Sequence, residues 1–281
     1  MSQNLSQKCN YKLTTLAPKF QTALVAAVEA SHKIMDIYNH EFEAIIKEDG
    51  SPLTKADLAS TTIIQRHLEP LGIPITGEET EKLDYSIRQN WTECWCVDPL
   101  DGTKEFIKRN GEFAVNIAMI ENGVPTFGLI ASPVNEEIIF GSKEFGVYIS
   151  SFENIEKEDK WTKINVPEKV NSPLILTASR SHGSGPMDVF IAELKRISLE
   201  IVQKSKGSSL KFFDLAKGEV DVYARFAPTM EWDIASGQAI LEALGGSVIN
   251  VETGLPLVYN KENLLNPFFI AKTKPLLEIL P

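Results

Sequence analysis

The sequence predicts a layered α/β protein, and three observations carry that expectation. Runs of helical period alternate with short strand-like runs across residues 173–251. Four strand-like runs across residues 113–150 are joined by tight-turn chemistry. The 281 residues also exceed the ~100–200 usual for one domain, so two packed units or one large one are expected. The expected division is an N-terminal α+β unit over residues 1–150, a charged connecting segment over 151–172, and a C-terminal α/β unit over 173–281.

In the first unit, Leu16, Phe20, Leu24, Ala27, Ile34, Met35 and Tyr38 recur near one helical face, which predicts a helix over residues 16–38. A second helix follows Ser51-Pro52-Leu53-Thr54. Thr54 and Asp57 are spaced as a capping box, and Leu58, Ile64 and Leu68 supply its apolar stripe. Residues 72–76 read as a short strand ending at Gly77-Glu78-Glu79-Thr80. Residues 94–97 read as another, closed by a tight turn because Pro99 fixes its own φ and removes an N–H. A short helix over 104–109 comes next. Strands over 113–120, 124–131, 137–140 and 146–150 form an antiparallel meander, with Glu121-Asn122-Gly123 as the first hairpin turn. Residues 152–171 are charged and poor in apolar side chains, and so read as a linker or an edge loop. Beyond them the sequence predicts strand 174–177, helix 186–197, strand 200–203, helix 208–217, strand 220–224, helix 234–244 and strand 247–251.

Composition excludes several classes of function. With 43% hydrophobic and 23% charged residues, neither wholesale disorder nor a fibre is expected. No apolar run approaches the ~18–20 residues of a membrane span. Residues 1–20 are polar and do not read as a secretory signal, which makes a cytoplasmic location the default. A net charge of −10 without a Lys/Arg block argues against a nucleic-acid polymer as partner. A small anion remains compatible, because cations or metals can reverse the field inside one cleft. Cys9, Cys94 and Cys96 form no C-x-x-C pair, so neither a zinc knuckle nor a disulfide framework is expected.

The chemistry concentrates in Trp95-Cys96-Val97-Asp98-Pro99-Leu100-Asp101-Gly102-Thr103. Two carboxylates three residues apart follow an apolar strand, and a turn there can aim both, with the Leu100 carbonyl, at one point; hard cations such as Mg²⁺ take such oxygen sets. Gly102 and Thr103 open the short helix, where free N–H groups suit an anion. Taken singly, each acid has a plain structural reading: Asp98 and Asp101 as turn formers, Glu78-Glu79 as a solvated strand end, Asp57 as a capping acid, and Asp233 as the N-cap of the helix from Ile234. Taken together they read as a metal cluster. Four carboxylates (Glu78, Asp98, Asp101, Asp233) brought together without cations would repel by on the order of 4 kcal/mol per close pair. Ser208, Ser209 and Lys211, after Gly207, suit a phosphate, and His182 stands beside Arg180. No P-loop, dinucleotide fingerprint or nucleophile elbow is present.

Gly77-Glu78-Glu79, the Trp95–Thr103 string and Trp232-Asp233-x-Ala235 resemble the lithium-sensitive, Mg²⁺-dependent phosphomonoesterases of the inositol monophosphatase superfamily. The continuation Lys104-Glu105-Phe106-Ile107-Lys108-Arg109-Asn110-Gly111-Glu112-Phe113, with Ser179-Arg180-Ser181-His182 and Gly207-Ser208-Ser209-Leu210-Lys211-Phe212, is similar to the CysQ-type 3′(2′),5′-bisphosphate nucleotidase branch. Ala227-Pro228-Thr229 departs from that pattern, which has Gly-Pro-Thr.

The resemblance implies an α/β/α/β/α sandwich of the sugar-phosphatase type, with the site in a cleft between two subdomains. Glu78, Asp98 and the Leu100 carbonyl would hold one Mg²⁺, and Asp98, Asp101 and Asp233 a second. A third would rest on Glu78 and, through water, on Asp57, giving two to three ions. Asp57 and Thr103 would orient or deprotonate the metal-activated water that attacks phosphorus. The N–H groups of Gly102 and Thr103 would hold the phosphate that leaves. Glu78, Leu100, Asp101, Gly102, Thr103 and Asp233 would border the substrate, with His182, Ser208, Lys211 and Arg225 on the nucleotide. The implied reaction converts adenosine 3′,5′-bisphosphate to AMP and phosphate, a step of sulfur metabolism. Its setting is the cytoplasm, with peripheral association at the cytoplasmic face of the inner membrane left open. Two rivals stand beside it: an inositol or sugar (bis)phosphate phosphatase, and a non-catalytic sensor of bisphosphate nucleotide.

Overall fold

A computed structural model describes residues 16–47, 50–178, 185–196 and 200–280. The chain begins with α1 (Pro18–Tyr38), β1 (Ala44–Ile46), β2 (Pro52–Thr54), α2 (Lys55–Leu68), β3 (Ile75–Gly77), α3 (Tyr85–Arg88), β4 (Glu93–Asp101) and α4 (Thr103–Ile107). The meander is β5 (Ala114–Glu121), β6 (Val124–Ser132), β7 (Glu137–Ser142) and β8 (Gly146–Ser151), followed by β9 (Thr162–Lys163). Then come β10 (Leu174–Ala178), α5 (Gly185–Arg196), β11 (Ile201–Ser205), α6 (Leu210–Ala216), β12 (Val222–Arg225), α7 (Glu231–Ala243), β13 (Ser247–Asn250), β14 (Phe269–Lys272) and α8 (Lys274–Leu277).

These elements stack in five layers, as the resemblance implies. A seven-stranded sheet in the order β3-β4-β5-β6-β7-β8-β9 and a five-stranded sheet in the order β11-β10-β12-β14-β13 enclose α6 and α7. α1 and α2 cover the outer face of the first sheet, and α5 that of the second. Coverage on both faces explains the unbroken apolar character of the central strands. On β5, Val115, Ile117 and Met119 face α1 and α2, while Ala114, Ala118 and Ile120 face α7. In the first sheet only β3 and β4 pair in parallel, so both strand ends present their following residues at one edge of the sheet. At the β5–β6 turn, Asn122 and Gly123 take φ of 50° and 79°, the geometry a two-residue hairpin needs.

Several expectations need correction. β4 does not stop before Pro99; it runs to Asp101 through a register shift between Asp98 and Asp101, and Ser60 of α2 ties the Pro99 carbonyl at 2.6 Å. Leu58 is 50% exposed, so the α2 stripe rests on Ala56, Ile64 and Leu68. In the segment 152–171, Phe152 and Ile155 are buried and β9 extends the first sheet. Asp233 is not the N-cap of α7. The helix begins at Glu231 with Met230 as its cap, and Asp233, three residues on, accepts the Met230 N–H at 2.8 Å. The hairpin β1–β2, α3, β14 and α8 have no counterpart in the sequence reading. Cys94 and Cys96 are buried free thiols of β4, while Cys9, His182 and Ile197 lie outside the described residues. Among the described residues, no helix is long and apolar enough to cross a membrane.

Gly77 permits the approach of β3 to β4. A Cβ built there would fall 2.1 Å from the Val97 carbonyl oxygen, so no side chain fits without parting the strands. Gly77→Ala is therefore expected to cost about 1–3 kcal/mol by overpacking. A urea midpoint equal to that of the parent protein would refute this.

Candidate active site

The bulge in β4 turns two acids toward one point. Asp98, 1% exposed, accepts the Leu100 N–H at 3.0 Å, which folds the turn back on its own carboxylate. Asp101 is held from three directions: by the Asn116 amide at 3.3 Å, the Ser208 hydroxyl at 2.9 Å and the Ser209 N–H. Ser208 adopts a left-handed φ of 58°, which delivers both of those donors. Gly102 has φ of 96°, and an added Cβ would lie 2.9 Å from the Glu112 carbonyl and 3.2 Å from Ser208, so a glycine is required on both counts.

α7 brings the third acid. Its capping contact fixes Asp233 beside the β4 turn, and single carboxylate oxygens of Asp98, Asp101 and Asp233 lie within 4.8 Å of one another. Without counter-charge such a set holds protons. Burial, with Glu78, Asp101 and Asp233 adding to it, pushes Asp98 well above the ordinary carboxylate range. Burial, then Asp101, pushes Asp233 up to about 8. Glu78 feels the same field from the end of β3. Its carboxyl is raised by burial, and the Lys47 ammonium 3.0 Å away opposes the rise.

Lys47, between β1 and β2, also pairs with Glu79, and sequence reasoning missed it. Burial works against its charge, yet the Glu79 and Glu78 carboxylates hold its ammonium above the ordinary value. No local pattern marks this lysine, because its partners lie 31 and 32 residues away.

Asp57 sits behind the cluster, 2% exposed. One oxygen accepts the N–H and hydroxyl of Thr54, at 2.7 and 2.6 Å, in the capping box that starts α2. The other accepts the Thr103 hydroxyl at 3.0 Å, and that hydroxyl is also 3.3 Å from the Leu100 carbonyl. Burial raises the Asp57 carboxyl despite these bonds.

A cleft of about 220 Å³ opens beside the acids, bordered by Asp101, Gly102, Ser208, Lys211, Arg225 and Asp233. Lys211, 3% exposed, donates to the Ser208 carbonyl at 2.9 Å and lies 5.2 Å from the centre of the Tyr223 ring. Burial pulls its ammonium down to about 8. Arg225 donates to the Pro228 carbonyl at 3.0 Å. Lys104, Glu105, Lys206 and Thr229 border the same cleft, and the sequence reading assigned none of them to the site.

The donor set fits a divalent cation. It consists of the mutually repelling carboxylate oxygens of Asp98, Asp101 and Asp233; hard cations take oxygen ligands of this kind.

Relatives agree with this chemistry. Residues 16–276 match the inositol monophosphatase family model. A 3′(2′),5′-bisphosphate nucleotidase CysQ of Escherichia coli is 38% identical over 248 residues, which span 86% of this chain and 95% of that protein. The crystal structure of CysQ from Bacteroides thetaiotaomicron, a bacterial member of the inositol monophosphatase family, superimposes with a TM-score of 0.79 at 41% identity, covering 90% of this chain and 96% of that one. An IMPase of Thermotoga maritima, 19% identical, shares the fold at a TM-score of 0.72 over 94% and 96% of the two chains. On matched length, fold and acidic site together, the chain belongs to the inositol monophosphatase family, whose phosphatases are metal-dependent.

Proposed function

We propose that the chain is a Mg²⁺-dependent 3′(2′),5′-bisphosphate nucleotidase that converts adenosine 3′,5′-bisphosphate to AMP and phosphate. The observation that carries this reading is one cleft with carboxylates at one end and Lys211 and Arg225 along it, in a chain 38% identical to a CysQ nucleotidase. Glu78, Asp98, the Leu100 carbonyl, Asp101 and Asp233 would hold two to three ions, with Asp57 behind them. Bound there, the metal supplies Lewis acidity that lowers the pKa of a ligating water and offsets charge building on the phosphate.

The chain's own residues do the rest. Asp57 accepts the Thr103 hydroxyl, which turns that oxygen's lone pairs toward the reacting water and gives its proton a route to a raised carboxyl. Gly102 and Thr103 offer N–H groups to the phosphate that is cleaved. Ser208, Lys211 and Arg225 grip the phosphate that is retained, and His182 is assigned to the nucleotide by resemblance alone. Lithium sensitivity and a cytoplasmic setting belong to this same reading.

Inositol monophosphate carries no second phosphate, and this separates the nucleotidase from its nearest rival. Lys211→Met keeps the aliphatic stem on Tyr223 and removes the charge. It should raise KM for adenosine 3′,5′-bisphosphate about tenfold, the loss of one charge-assisted contact of about 1.5–3 kcal/mol. The lysine loses its charge as pH rises through about 8. The ratio of kcat/KM for bisphosphate to that for monophosphate should therefore fall above that pH in the parent and stay level in the variant. Equal losses on both substrates, or faster parental turnover of the inositol ester, would replace the nucleotidase reading with an inositol phosphatase.

A further inference from the structure

The turn after β3 directs three backbone carbonyls, those of Gly77, Glu78 and Thr80, toward one point, and the Lys82 ammonium fills it. It donates to the Glu78 carbonyl at 2.7 Å, the Thr80 carbonyl at 3.1 Å and the Gly77 carbonyl. An ammonium has three donors, so each carbonyl takes one. The same nitrogen stands 4.5 Å from the centre of the Trp232 ring. Trp232 is 5% exposed and immediately precedes Asp233 in the first turn of α7. Lys82 is therefore bonded to the backbone of one acid and stacked on the neighbour of another, and the two acids come from different layers of the fold. The Glu78 side chain has its own partner in Lys47, so Lys82 governs where the backbone of that residue sits rather than where its carboxylate points.

We propose that Lys82 is a positioning residue that sets the separation of Glu78 from Asp233 and thereby the cation affinity of the acidic site. The inference rests on Glu78 being a ligand there, as in the function proposed above. A partner that fixes a ligand typically tunes affinity by 10–100-fold when removed.

The test is thermal unfolding of the full chain across a Mg²⁺ titration, which reads binding without turnover: a ligand of the native state stabilises by RT ln(1 + [Mg²⁺]/Kd), so the slope of stability against ln[Mg²⁺] reaches half its limiting value at the half-saturating concentration. Lys82→Met keeps the stem over Trp232 and removes the donors. It should raise the half-saturating Mg²⁺ concentration about tenfold. Lys82→Arg, which keeps donors and stacks on indole, should recover most of the loss. Glu78→Gln run in parallel separates the two claims. If Glu78→Gln weakens Mg²⁺ binding and Lys82→Met leaves the half-saturation point unchanged, even with a melting temperature lowered equally with and without Mg²⁺, Lys82 is structural and the inference fails alone. If Glu78→Gln binds Mg²⁺ as the parent does, Glu78 is not a ligand, and both the ligand assignment and the inference fall.

Discussion

Asp98→Asn is expected to lower turnover by at least about 10³-fold while raising the melting temperature in chelator. The first effect follows from several kcal/mol of lost transition-state stabilisation once the acid proposed to ligate two ions is neutral. The second follows from burial. Asp98 is 1% exposed and its charge is opposed by Glu78, Asp101 and Asp233, so its folded pKa lies above the unfolded value of about 3.9. A carboxyl raised in this way stabilises the fold fully below its unfolded pKa, and that contribution drains as pH climbs toward the folded one. Asp233, at about 8, behaves alike. The parent protein in EDTA should thus melt progressively lower between pH 5 and 8.5. The asparagine, whose oxygen can still accept the Leu100 N–H, should show a shallower slope and a melting point a few degrees higher at the alkaline end. A lower melting point for the variant in EDTA at pH 8.5 would make Asp98 a turn-former rather than a ligand.

Thr103→Val should reduce kcat by about 10²–10⁴-fold with KM for the bisphosphate little changed. Valine matches threonine in volume, and Lys211, Arg225 and the carboxylates, proposed above to hold the substrate directly or through Mg²⁺, are untouched. What disappears is the hydroxyl between Asp57 and the Leu100 carbonyl. Stability should fall by about 1–2 kcal/mol, because one Asp57 oxygen is left buried without its donor. Steady-state kinetics at saturating Mg²⁺ decide the matter. An unchanged kcat would remove Thr103 from the reaction and leave the Asp57 pair as the anchor of α2.

What was legible in the chain was local. The capping box of Thr54 and Asp57 spans four residues and could be read directly, and the Trp95–Thr103 string announces its chemistry in nine contiguous residues. The meander was legible because short apolar strand-like runs and the Asn122-Gly123 turn act over neighbouring positions. The start of α7 was misjudged for a tertiary reason. Glu231, 1% exposed, is drawn into the helix by the Asn260 N–H at 2.7 Å and the Lys261 ammonium at 2.5 Å. Without those distant partners, Asp233 does resemble a cap. β14 was invisible because four residues, entered from a long irregular stretch, carry no period of their own; it owes its place between β12 and β13 to both neighbours. The tethering of Asp101 by Asn116, Ser208 and Ser209 joins positions up to 108 apart, beyond any pattern of spacing.

The burial of α7 between two sheets also has a consequence during synthesis. The strands it covers are complete at Ser151, but the helix starts only at Glu231. At ~5–20 residues per second, the ribosome needs roughly 4–16 s to reach it. Throughout that interval Ala114, Ala118, Ile120, Ile130, Ile139 and Val147 form an apolar row whose eventual cover has not yet been made. Until α7 emerges, that face lacks the cover that makes it a core. How long it waits depends on where α7 falls in the message rather than on how stable the finished protein becomes.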